Sequence, residues 1–382
     1  MAPRRPRVLD HVVASFAELR DPRIDRTKRH SLVNVLVMAL SATIAGAEGW
    51  DDLVDFCEAR RKWLDGFLDL PHGIPSADTF RRIFERLDPK AFQRCFVEFV
   101  SALARDVDGE VVAIDGKTLR GLVEKAGRMS QLHLVHVWAT EQKLLLAQQA
   151  VEGASGEMAA IPKLLEMLDL DGAIITTDAN SCTAPVTRAI IESKADYVLA
   201  VKGNRGRFYD HVVNAFAEAA PATEVRTHGR VEEGHGRKET RIVSVLEPHD
   251  WPWKTKNNGE WAGLRTAIRI ARTRAVGGEA TTETHYYVSS LPPDAQRIAG
   301  AIRDHWDVEN GLHWSLDVAF GDDDRKIRDA RSAENFATIA RMAFTLVKRD
   351  PARKRGVAAS RKRAGWDTDY LTHVLTTGIS IP

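Results

Sequence analysis

Cysteine is scarce in this chain. Cys57, Cys95 and Cys182 are odd in number, scattered and without paired spacing, which argues against a disulfide framework or a cysteine zinc site. No charge of one sign dominates: 54 Lys and Arg stand against 53 Asp and Glu, a net charge of +1. The whole-chain balance therefore does not announce a polyanion partner. A membrane-length apolar run is also missing. The uncharged stretch 31–47 (SLVNVLVMALSATIAGA) is short and contains Asn34, Ser41 and Thr43, so it reads as a buried helix rather than a span. The start MAPRRPRVLDHVV is basic but lacks an apolar core of signal-peptide length. The expectation is a cytoplasmic protein with no membrane partner. No long-period repeat or low-complexity tract occurs apart from a basic stretch at 353–363.

What is present describes an ordinary globular chain, 44% hydrophobic and 28% charged over 382 residues, enough for two or three domains. Charge is unevenly placed. Between Arg325 and Arg363 thirteen Lys and Arg face three acids (Asp329, Glu334, Asp350), and residues 1–30 carry eight against four. Basic ends on a neutral body suit nucleic acid. Through 1–105 apolar residues recur at three- and four-residue spacing, as in Phe80, Ile83, Phe84 and Leu87, so a helical amino-terminal domain is expected, with Ser76 as a helix N-cap. From Glu110 the period changes. VVAID, LHLVHVWAT and LLLAQQAV read as strands, EMAAIPKLLEMLDL as a helix, then GAIITTD, PVTRAIIESK and DYVLAVKG as strand, helix and strand. This predicts an α/β core over 106–205, a β-rich insertion over 206–292, a helix and the end of the core over 293–350, and a basic tail over 351–382.

Three carboxylates stand out. Asp115 ends VVAID, Asp178 ends GAIITTD, and Glu309 lies in RDHWDVENGLHW. A lone carboxylate at the edge of an apolar segment is costly unless a cation compensates it. Hard oxygen donors converging from separate segments are what a pair of Mg²⁺ ions (or Mn²⁺) requires. On a continuous helix, Ile298, Ile302, His305, Glu309, Leu312 and Leu316 share one face, which predicts Glu309 on the core-facing stripe. Such a site cuts and joins DNA, because hydrolysis and strand transfer are one displacement with different nucleophiles.

The stretches DPRIDRTKRHSL (21–32), IPSADTFRRIFERLDP (74–89), VVAIDGKTLRG (111–121), VKGNR (201–205), HGRKETR (235–241) and HWDVENGLHWSLDVAFGDDDRKIR (305–328) resemble, in order, insertion-sequence transposases of the DDE superfamily, in the ISAs-type group that includes H-repeat-associated proteins. The resemblance implies a ribonuclease-H-like mixed sheet, catalytic and metal-binding roles for Asp115, Asp178 and Glu309, two metal ions per site, and work as a homodimer or higher oligomer on transposon ends and target DNA. ASGEM (154–158) and TTDANSCT (176–183) depart from the family pattern. A degenerate copy that binds DNA without cutting, or a structure-specific nuclease, is the alternative.

Lys117, Arg120, Lys202, Arg237, His305, Arg325, Lys326 and Arg328 are the candidates for DNA contact, with Lys117 and Arg120 as readily paired to local acids. Arg81 and Arg82 could enter a groove or sit on a solvated helix face. His305, Glu309 and His313 at i−4, i and i+4 offer a zinc reading that lacks an evident further ligand. DGKT at 115–118 lacks the upstream Gly of a phosphate loop. Asp322-Asp323-Asp324 reads as an exposed acidic turn, and Trp251, Trp253 and Trp261 as packing or base-stacking residues of the insertion.

Overall fold

The computed structural model describes residues 10, 13–120, 131–217, 224–234, 237–248, 261–277 and 279–377. The uncharged run forms α1 (Leu32–Ile44), whose residues are nearly all buried, Ser41 and Thr43 included. Its lack of charge follows from its place: neighbours cover every side of it. After it come α2 (Trp50–Ala59), which packs on it, α3 (Ala77–Arg86) and α4 (Pro89–Ser101). Helix α3 starts where the sequence predicts, with the Ser76 hydroxyl accepting from the Thr79 amide at 3.3 Å, and it buries Phe80, Ile83 and Phe84. Asp88 caps α4, with Pro89 in its first turn.

The sheet follows. Strands β1 (Val111–Leu119), β2 (Leu132–Ala139) and β3 (Leu144–Val151) form an antiparallel meander, and α5 (Glu157–Leu165) leads to β4 (Ile174–Thr177). Helix α6 (Ala184–Glu192) then leads to β5 (Asp196–Val201). Strand β4 runs parallel to both β1 and β5. The spatial order β3-β2-β1-β4-β5 is the ribonuclease-H-like arrangement expected. After α7 (Arg207–Ala217), strands β6 (Arg226–Gly234), β7 (Arg237–Leu246), β8 (Thr266–Val276) and β9 (Glu279–Ser289) do not stand apart. Strand β9 pairs antiparallel with β5, so the insertion extends the same sheet to nine strands.

Helix α8 (Ala295–His305) crosses the sheet, a π-helical segment (Val308–His313) continues it, and α9 (Trp314–Phe320) follows. The long α10 (Ala330–Arg349) packs on α1, α3 and α4 and also touches β2 and β3, joining the helical part to the sheet. Residues 351–377 are not the basic tail the composition suggests. They form α11 (Val357–Trp366) and α12 (Thr368–Thr377), which pack on α1 and α10. Arg361, only 4% exposed, donates to the Thr43 carbonyl at 3.1 and 2.7 Å and lies 4.0 Å from the Phe320 ring centroid. Its guanidinium closes the carboxyl end of α1, where carbonyls lack intrahelical partners. Among the described residues no helix is long and apolar enough to cross a membrane.

Candidate active site

Strands β1 and β4 are parallel with Ile114 opposite Thr177, so Asp115 and Asp178 are the next residues on neighbouring strands, about 4.8 Å apart in backbone spacing. Strand β4 stops there, while β1 continues to Leu119 against β2. The break leaves the carboxyl end of β4 without a strand partner beyond Thr177, the end at which α/β sheets present ligands. Asp178 is held by its own turn, its Oδ1 accepting from the amides of Asn180 at 3.0 Å and Ser181 at 3.2 Å. Burial pushes the Asp115 carboxyl up to about 7, opposed by the Gly116 amide and reinforced by the charges of Glu309, Asp178 and Glu157. Four carboxylates from β1, α5, the end of β4 and the π-helical segment therefore act on one place.

Glu309 is there, but not on the face predicted. The helix is not continuous: its buried residues run Ile298, Ile302, Val308, Leu312, Leu316, and Glu309 is exposed. A π-helical turn takes extra residues per turn and shifts the phase of all that follows, which a 3.6-residue count cannot anticipate. Side-chain anchors hold the irregular turn. The Trp138 indole donates to Asp307 Oδ2 at 2.7 Å, Lys143 lies 2.8 Å from Asp307 Oδ1, and His305 Nδ1 meets Thr176 Oγ1 at 2.9 Å. A Cβ at Gly311 would come within 2.9 Å of the Asp307 carboxylate.

The donor chemistry suits a hard divalent cation: oxygen donors of like charge act on one another, and burial together with those charges pushes one of them towards neutrality. Among the described residues, however, no three His, Cys, Asp or Glu side chains are gathered so that they could hold an ion. The zinc reading fares no better in detail, since His305 is turned to Thr176 and His313 to His136 and Asp115.

Glu157 and His133 escaped the sequence reading. His133 Nε2 and Glu157 Oε1 are 2.6 Å apart, directly beneath Gly116. A Cβ at position 116 would lie 2.1 Å from that oxygen and 2.5 Å from that nitrogen. The signals were available in a Glu opening the helix after the third strand and a His on an otherwise apolar strand, but neither identifies its partner. Gly116→Ala should destabilise the protein by about 1–3 kcal/mol through overpacking. Thermal unfolding checks this, and an unchanged Tm would mean that the pair yields space freely.

The cation candidates divide by burial. Lys117 is buried and donates to Asp317 Oδ1 at 2.6 Å, with Asp323 at 4.0 Å, so the pairing with local acids holds and it is not free for phosphate. Arg325 is a correction. Its side chain is almost wholly buried, donates to the Phe320 carbonyl at 2.6 Å and lies 3.3 Å from Asp322. Asp322 itself is fully buried, 2.6 Å from Arg341, so the turn at 322–324 is not uniformly exposed. Sequence shows the charges but not that three elements close over them. Arg120, Lys202, Arg237, Lys326 and Arg328 are exposed. Arg81 pairs with Asp78 and Glu85, and Arg82 with Asp78, so both are engaged by their own helix. Trp261 stacks on Phe208 at 3.9 Å between ring centroids, which makes it a packing residue. Trp251 and Trp253 lie outside the described residues.

Comparison with known proteins gives the family. Residues 13–100 match the family described as DDE_Tnp_1-associated, and residues 106–346 match the transposase DDE domain family. The "Putative transposase YncI" of Escherichia coli O157:H7 is 36% identical over 359 residues, covering 91% of this chain and 90% of that protein. The "H repeat-associated putative transposase YhhI" of Escherichia coli K12 is 36% identical over 361 residues, covering 92% and 94%. Among solved structures, a piggyBac transposase synaptic complex with hairpin DNA aligns with a TM-score of 0.41 and 12% identity over 98% of this chain and 80% of that one. With the DDE domain family matched over most of its length, this chain belongs to the DDE transposase superfamily, among insertion-sequence proteins of the H-repeat-associated group.

Proposed function

We propose that this transposase cuts DNA at the ends of its element and joins the freed 3′ ends to target DNA, working as a homodimer or higher oligomer. What supports this reading is the placement of Asp115 and Asp178 as neighbours at the carboxyl end of β4, with Glu309 close enough for its charge to raise the Asp115 carboxyl. Asp115, Asp178 and Glu309 would hold two Mg²⁺ ions, or Mn²⁺ in their place. When bound, such ions make a water or a 3′-hydroxyl a competent nucleophile and offset charge on the transferring phosphate. The chain's own part is to carry one carboxylate on each of β1, the turn after β4 and the π-helical segment. His305, bonded to Thr176, faces this site. The exposed Arg120, Lys202, Arg237, Lys326 and Arg328 grip phosphate.

The direct test is a duplex carrying the DNA that flanks the gene, searched for inverted repeats, incubated with the protein and Mg²⁺. Cleavage at the repeat ends is expected. Binding without cleavage in Mg²⁺ or Mn²⁺ would leave a DNA-binding protein, and cleavage governed by DNA structure whatever the end sequence would indicate a structure-specific nuclease.

A separate expectation concerns salt. Neutralising Lys326, Arg328, Lys354, Arg355 and Lys362, all exposed, should weaken binding to specific and random duplexes alike. The slope of log affinity against log salt should drop by roughly 0.9 for each phosphate that is no longer neutralised. Arg361→Ala should instead lower Tm, because that guanidinium is buried against α1. A slope unmoved by the surface substitutions would place the phosphate-binding cations elsewhere.

A further inference from the structure

A row of polar side chains runs across three buried strands beside the candidate site. Asp115 on β1 lies opposite His136 on β2, and His136 lies opposite Gln148 on β3. Their neighbours Ile114, Val135, Val137 and Ala147 are apolar and buried, so polar groups here carry a desolvation cost that sheet packing alone does not require. His313, from the π-helical segment, completes the row. Its Nδ1 is 3.7 Å from Asp115 Oδ2, and its Nε2 is 3.0 Å from His136 Nδ1. Two atoms of the row are buried without a partner: His136 Nε2 and Gln148 Oε1.

We propose that His136 and His313 are positioning residues for Asp115, forming a one-way chain of hydrogen bonds that starts at the Gln148 amide and ends with His313 Nδ1–H aimed at the carboxylate. The proposal rests on the transposase function proposed for this site, in which Asp115 works as an anion.

Both rings are shut away from water, His136 entirely and the His313 side chain at 12% exposure, and burial favours the uncharged imidazole. A neutral imidazole has one N–H, so the 3.0 Å contact between the rings allows only two arrangements. In one, His313 donates from Nε2 and turns a bare lone pair on Nδ1 towards Asp115, which repels an ionised carboxylate. In the other, His136 donates from Nδ1, His313 accepts at Nε2, and the His313 proton sits on Nδ1 facing Asp115. The anion selects the second.

That choice leaves His136 Nε2 as an acceptor in need of a donor. Gln148 is the adjacent cross-strand residue, and the oxygen and nitrogen of an amide are told apart by the hydrogen bonds they make. With its nitrogen towards His136 and its oxygen towards the Thr338 hydroxyl, 3.0 Å from the amide, both unpartnered atoms gain partners once that hydroxyl turns its proton from the Glu334 carbonyl, 3.2 Å away, to the Gln148 oxygen. Outer partners of this kind orient a ligand-bearing group, and their loss typically costs 10–100-fold in affinity or activity.

Protein labelled with ¹⁵N only in histidine, with Mg²⁺ added, tests the chain by long-range ¹H–¹⁵N correlation. Protons on Nδ1 of both His136 and His313 are expected, and a proton on His313 Nε2 would overturn the proposal. In single-turnover cleavage at saturating DNA, His136→Leu should slow the reaction by roughly 10–100-fold, without raising the DNA concentration needed for half-maximal rate. His136→Gln, which can both accept and donate, should recover part of the loss, and an unchanged rate in a folded His136→Leu variant would overturn the assignment. Asp115→Asn is the control. If it keeps cleaving, the reading of Asp115 fails; if it is inactive while His136→Leu is normal, only the positioning role fails.

Discussion

Asp115→Asn, Asp178→Asn and Glu309→Gln are each expected to lower DNA cleavage by roughly a thousandfold or more, about 4 kcal/mol of barrier, while DNA binding persists. Each change removes a ligand charge at the candidate site and leaves the exposed cations untouched. The Asp115 variant has a second signature. Its carboxyl is raised in the folded protein from 3.8 to about 7, first by burial and then by its acidic neighbours. A group with a raised folded pKa contributes its stability below the unfolded value and loses it as pH climbs through the folded value. Without divalent cation, wild-type protein should therefore lose stability between about pH 4 and 7, with an upper bound of about 4 kcal/mol. Asp115→Asn should be the more stable protein at pH 8, and the difference should shrink at pH 5. Thermal unfolding across pH in the presence of a chelator measures this. Full nuclease activity in any of the three variants would make that acid structural.

The second large effect lies behind the site. Arg341 and Asp322 are both wholly buried, 2.6 Å apart, and Arg325 joins them at 3.3 Å from Asp322. Burial works against the Asp322 charge, but Arg341 and Arg325 outweigh it and hold the carboxyl below its usual range. The stability this contributes is present above the unfolded pKa and is lost as pH falls through the folded one. Arg341→Met should cost about 3–5 kcal/mol, since removing one partner strands a buried charge, and Tm should fall by several degrees. The ion pair ties α10 to the turn after α9, and so supports the π-helical segment that carries Glu309. An Arg341→Met protein with wild-type Tm would mean that Arg325 alone suffices for Asp322.

Much of this was legible in one dimension. The change from helical to alternating period at Glu110, the β-branched runs ending at Asp115 and Asp178, and the uncharged run of α1 all report local backbone preference and burial, which periodicity carries directly. The order of strands and helices followed, because a parallel pair needs a crossover and the chain has one of helical pattern between each. The three candidate acids were likewise picked out by residue type and segment edge.

Position in space was not. Glu309 leaves the buried face because a π-helical turn, pinned by Trp138 and Lys143 through Asp307, shifts the helix phase by an amount set by distant partners. Lys117, Arg325 and Arg361 have the same sequence character as Lys326 and Arg328, yet the first three are buried against Asp317, Asp322 and the end of α1. The strand register that places Asp115, His136 and Gln148 in one row joins residues from three strands. Sequence determined which groups this protein has and which segments carry them; tertiary structure decided which charges meet and which face solvent, because those outcomes depend on how separate elements close over one another.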